Sequence, residues 1–240
     1  MYCIKFHRWL FLFIILFLIV SSCKRESKTV IVKQKDLDLS SLVIDSLSSG
    51  GENFVPKIFF NKKHIKKILS NFDSICFDDY VLVMEYYIDS SSSDIYSIYF
   101  SFGPSIDPNF IIQYKGEFIA NIEALELILP GDGFIYARGH INNYFDMQEK
   151  YKVQENQCNK IVQPYYYVGL KTTATNSFVI YSDTLFKQIV TNVNKGDSIE
   201  ILLNADHKYL IKDKHLIVGW WQIDDLEVSK DIPELYFRGD

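Results

Sequence analysis

The sequence has no basic stripe, little histidine, few glycines and prolines, and no apolar run long enough to cross a membrane as a helix. Its 25 lysines and arginines stand against 30 aspartates and glutamates, for a net charge of −5. An acidic surface is a poor phosphate binder, so nucleic acid, which is recognised through a basic patch or stripe, is excluded as a partner. Five histidines leave few candidates for the commonest general base. No nucleophile elbow, phosphate-binding glycine loop or zinc-ligand spacing occurs, so neither a cofactor nor a metal is expected. Eleven glycines and six prolines beside 16 tyrosines and 18 phenylalanines favour strands over helices. No internal repeat is present.

The longest apolar run, Trp9 to Val20, lies behind Lys5 and Arg8 and ends in Ser21-Ser22-Cys23. Charged, apolar and small residues in that order form a secretory signal. A run of about a dozen residues falls short of the roughly twenty that a bilayer-spanning helix needs. Val20-Ser21-Ser22-Cys23 resembles the lipobox of bacterial lipoproteins, with an aliphatic residue and two small ones before a cysteine. The resemblance implies cleavage before Cys23 and lipid attachment on its thiol. Several acyl chains on one residue hold a protein to a membrane far more firmly than one, since each buried methylene contributes about 0.8 kcal/mol. Lys24-Arg25-Glu26 puts no acidic residue directly behind the cysteine. By the same resemblance, the expected location is the cell envelope, lipid-anchored at the outer membrane. Removal of residues 1–22 takes away Lys5 and Arg8 and no acidic residue, which moves the net charge to −7.

Residues 23–54 read as a tether rich in serine, lysine and aspartate, with an apolar patch at Leu42, Val43 and Ile44 that can pack. Residues 55–160 are expected to form an antiparallel β-meander carrying one helix. The helix is predicted over 61–73, where Ile65, Ile68, Leu69 and Phe72 fall at i, i+3, i+4 and i+7 behind Asn61 as N-cap. From Tyr80 onward short apolar runs alternate with turn residues, and Gly131-Asp132-Gly133 marks a hairpin. Cys76 and Cys158 can pair in an oxidising compartment or remain as two buried thiols.

Residues 161–240 complete a mainly β (α+β) chain. YYYVGLKT leads into a long irregular stretch, Lys195-Gly196-Asp197 precedes the alternating run DSIEILLN, Ala205-Asp206 turns the chain, and Gly219-Trp220 comes before a short last strand. These features resemble a bacterial Src-homology-3-like domain. The resemblance implies a small β-barrel that binds cell-wall peptides or protein segments, although TTATNSF stands in place of the usual first-loop sequence. Ile199, Ile201 and Leu203 are expected on one buried face, as are Tyr166, Val168 and Leu170. Trp220 and Trp221 are adjacent, so one points to the core and the other to the surface.

The candidate binding surface is therefore aromatic: Tyr165, Tyr167, Tyr181 and the outward member of the pair Trp220 and Trp221. His140 near Asp146 is the strongest acid–base candidate, with a locally bonded strand end as the simpler reading. Taken together, these features predict a non-enzymatic envelope lipoprotein that binds or scaffolds, held to the membrane through its lipid, with a cell-wall peptide or envelope protein as partner. A hydrolase of envelope polymers, or an inhibitor of one, is the alternative.

Overall fold

In the computed structural model of the chain the described residues are 39–44, 55–69, 80–102, 108–223 and 228–239. The signal segment, Cys23, most of the tether and Cys76 lie outside them.

Strands β1 (Ser40–Val43) and β2 (Lys57–Phe60) come first, then a 3-10 turn at Lys62–His64. A run of five strands follows: β3 (Ile65–Ile68), β4 (Val81–Tyr86), β5 (Tyr96–Ser101), β6 (Asn109–Tyr114) and β7 (Glu117–Glu123). Next are β8 (Glu126–Leu129), β9 (Phe134–Gly139), β10 (Met147–Gln154) and β11 (Gln157–Lys160). The last six are β12 (Tyr166–Thr173), β13 (Phe178–Tyr181), β14 (Ile189–Val193), β15 (Ser198–Ala205), β16 (Lys208–Lys212) and β17 (Val218–Gln222).

The chain is mainly β, as expected, but the meander is not one sheet. The first sheet runs β1-β2-β8-β9-β10-β11 and the second β3-β4-β5-β6-β7. Apolar residues of both meet in one core that includes Ile58, Leu127 and Ile135 from the first sheet, and Tyr86, Phe100 and Phe110 from the second. Tyr86 ties the layers: fully buried, it donates from its hydroxyl to the Leu129 carbonyl at 2.7 Å. Burial pushes that phenol up to about 12. One pair departs from the antiparallel rule, since β2 and β8 run parallel, Ile58 opposite Leu127. The apolar patch of the expected tether belongs to this layer: β1 pairs with β2, and Ile44 is fully buried.

The expected helix is corrected. Asn61 does cap, its side-chain oxygen accepting from Lys63 N at 3.1 Å, but what it caps is the 3-10 turn. From Ile65 the chain is extended and pairs with β4, while residues 70–73 lie outside the described set. Ile65 stands opposite Tyr86, Lys67 opposite Glu85 and Ile68 opposite Met84, so the register slips by one residue between Ile65 and Lys67. That bulge returns Ile65 and Ile68 to one face of a strand, which imitates helical i, i+3 spacing.

The Gly131-Asp132-Gly133 hairpin joins β8 to β9 as expected. Gly131 has φ +89°, and a Cβ there would come within 2.3 Å of the His64 ring, so this position requires glycine.

The third sheet runs β12-β15-β16-β17-β13-β14 and encloses a second core of Ile180, Ile199, Ile201, Tyr209, Ile211 and Trp221. Ile232 and Leu235 of the C-terminal segment and Phe145 close this core. The expected closed barrel is corrected: among the described residues β12 and β14 stand at opposite ends of the strand order and do not pair. Tyr166, Val168 and Leu170 pack on the core, as the alternation predicts. Leu203 does not. The register of β15 against β16 slips between Ile201 and Leu203, so Asn204 turns inward and Leu203 faces the other side.

Candidate aromatic groove on the third sheet

Residues directly opposite one another in an antiparallel sheet project to the same face. Tyr167 is opposite Leu203, Leu203 opposite Leu210, Leu210 opposite Trp220, and Trp220 opposite Tyr181. These five form one row across the sheet, on the face away from the second core. Trp220 belongs to this row, half-buried, whereas Trp221 is 6% exposed and packs among Phe178 and Tyr209 at centroid distances of 5.5 and 6.0 Å. The structure therefore takes Trp221 out of the candidate surface and leaves Trp220 in it.

Rings draw together across this face. β15 and β16 separate β12 from β17, a span of about 14 Å in a flat sheet. Yet the Tyr165 ring, just ahead of β12, lies 6.0 Å from the Trp220 ring. The two rings lean toward each other above the strands between them, and Tyr165 walls the groove on that side. Tyr167, at 59% exposure, lies over the bulge at Gly169, where φ is +67°.

The opposite wall is the loop of residues 182–188. Lys208 on β16 donates from Nζ to the Thr184 carbonyl at 3.2 Å and sits 5.7 Å from the Phe186 ring. Since β17 lies between β16 and β13, those contacts bring the loop over β17. Phe186, at φ +55°, packs edge-on against Tyr181 at 5.3 Å. Exposed Leu185 and Ile189 continue the apolar surface.

Sequence reasoning named Tyr165, Tyr167, Tyr181 and whichever of Trp220 and Trp221 faces outward, and it missed Leu203, Leu210, Phe186 and Lys208. Alternation within β16 was a usable signal for Leu210, because buried Tyr209 and Ile211 flank it. Nothing local signalled Phe186, whose position depends on Lys208 from another strand.

His140 is set apart from this groove. Its ring is buried at the end of β9, where Nε2 meets the Tyr236 carbonyl at 2.9 Å and the ring stacks at 4.7 Å on that tyrosine. Burial lowers its pKa from the usual value near 6.5. The ring is thus bonded not locally but to the backbone of Tyr236 in the C-terminal segment, with no carboxylate in hydrogen-bond contact among the described residues. Cys158, half-buried on β11 against the first core, has its thiol pushed up to about 11 by burial. Its expected partner Cys76 lies outside the described residues. Comparison with family models, with curated proteins and with solved structures returns no match.

Rings with polar tips, exposed apolar side chains and one bridging lysine are equipment for holding a ligand.

Proposed function

We propose that the chain is a lipid-anchored envelope protein whose third sheet binds an extended segment of a cell-wall peptide or envelope protein, without chemistry of its own. The Tyr165–Trp220 contact carries the binding part of this reading, because it gathers two polar-tipped rings on the outer face. The lipobox-like Val20-Ser21-Ser22-Cys23 supports the address. A Src-homology-3-like ancestry is supported by the positive-φ turn at Gly196 and by Gly219-Trp220, where a Cβ on Gly219 would press on Ile180 and the Tyr181 carbonyl. With His140 bonded to backbone, no observation favours the hydrolase alternative.

The test compares intact protein with Trp220→Ala and Tyr165→Ala in co-sedimentation with purified peptidoglycan and in capture from envelope extract. Loss of about tenfold or more in either assay by both folded variants is expected, as for a central aromatic contact. Equal recovery of all three proteins removes the groove. Mass spectrometry of the native product reads the anchor separately: acyl mass on a chain beginning at Cys23 is expected, and an intact Met1 overturns it.

A further inference from the structure

The outer face of the first sheet carries a concavity, independent of the groove on the third. Outward from β8, β9 and β10 stand two cross-strand rows: Ile128, Tyr136 and Lys150, and beside them Glu126, Arg138 and Gln148. A hollow of about 570 Å³ lies over the first row, bounded by Leu39 and Gln163. A second, of about 440 Å³, reaches toward Tyr167 and Glu234. Arg138 and Gln148 line both hollows, which lie side by side, and the trough is the first of them. Each hollow alone falls in the range of about 300–1,000 Å³ that small organic ligands occupy.

The chemistry of the lining restricts the occupant. The backbone under the trough is already paired on both sides: β8 lies between β2 and β9, β9 between β8 and β10, and β10 between β9 and β11. An extended peptide that adds to a sheet needs a free edge for its main chain, and the strands under the first hollow present none, whereas the second is lined by β12, an end strand of the third sheet. Recognition must come from side chains, and these are planar hydrogen-bonding groups beside rings. Their charges are largely matched in place: Arg138 meets Glu126 at 3.7 Å and Asp146 at 3.2 Å. Tyr136 donates to Asp132 at 3.1 Å. The Lys150 ammonium rests 3.7 Å from the Phe134 ring centroid and 5.2 Å from that of Tyr136. Three carboxylates, Glu126, Asp132 and Glu149, line the trough against two cations, Arg138 and Lys150, so a polyanion is repelled.

We infer that this trough is a binding site for a linear neutral oligosaccharide, whose ring faces lie on Tyr136 and the apolar floor while its hydroxyls bond to Arg138, Gln148 and the flanking carboxylates. Pre-set donors and acceptors matter because a sugar brings many hydroxyls that must exchange water for equally good partners. The same chemistry is offered by the glycan strands of an envelope and by neutral polysaccharide from outside the cell, and a panel of sugars separates the two.

The experiment titrates the full-length protein calorimetrically with tetrasaccharides of N-acetylglucosamine, glucose and mannose, and with tetragalacturonate as the anionic control. Saturable binding of at least one neutral member is expected. Preference for N-acetylglucosamine assigns the envelope glycan, and preference for glucose or mannose assigns an external one. Gln148→Ala, an exposed position, and Tyr136→Ala are each expected to weaken binding by about tenfold or more. Trp220→Ala is expected to leave it unchanged. Should Tyr136→Ala fail to fold, Gln148→Ala together with Arg138→Ala, both at exposed side chains, carries the test. No saturable binding to any neutral member, undiminished binding by the folded variants, or tighter binding of tetragalacturonate overturns the inference.

Discussion

Two adjacent tryptophans show how little separates a core residue from a surface one. Alternation along an extended strand requires Trp220 and Trp221 to part company, but it does not say which of them goes inward. The second core decides, because Tyr209 and Phe178 pack around Trp221. Replacing that indole by alanine is therefore expected to cost about 3–5 kcal/mol in urea denaturation, the usual toll of a large core truncation. Trp220→Ala is expected to stay within about 1 kcal/mol, since it faces away from the core. Equal losses would mean the two assignments are wrong. Leu203 carries the complementary lesson. Its alternation with Glu200 reads as a buried position, and a single bulged residue sends it outward. A bulge leaves no mark in the pattern of apolar and polar residues, so this part of the groove was not legible.

At the scale of the element, the strands from β4 to β10 other than β7 were legible, because aromatic and β-branched residues cluster there between turn signals. The failure at Ile65–Ile68 has a definite cause: one inserted residue converts period two into an apparent period of three, and the slip shows only against the partner strand β4. The hairpin between β8 and β9 was legible because glycine is the direct solution to its geometry. Gly131→Ala is expected to destabilise the protein by about 1–3 kcal/mol, the cost of a side chain in the left-handed region, with crowding of the His64 ring added. Adding His64→Ala should recover the crowding part and leave the backbone part. Chemical denaturation of the three variants checks the division, and full recovery by the double variant would place the whole cost in the clash.

The whole molecule depends on pairings that no local pattern encodes. The sequence suggested a meander with a barrel behind it, while the structure distributes the strands over three sheets and two cores. The C-terminal segment fastens onto the loop after β9, with Asn143 bridged to Arg238 and the His140 ring on Tyr236. Because burial depresses the pKa of His140, protonation favours the unfolded chain. The contribution is complete above the unfolded value near 6.5 and declines as pH falls below it, until the folded form also takes up a proton. Urea midpoints measured between about pH 7.5 and 5.5 are expected to fall more steeply for the intact protein than for His140→Gln, which keeps a donor for the Tyr236 carbonyl. Identical slopes would detach His140 from this behaviour.

The parallel seam of β2 against β8 also governs the order of events at birth. The strand at Lys57–Phe60 lacks its inner neighbour until Glu126–Leu129 has emerged, with all of the second sheet coming between them. Contacts so distant along the chain close slowly, and until they do the early segments expose unsatisfied strand edges. A polypeptide that emerges from its leading end therefore holds these early strands only partly paired until the later ones follow.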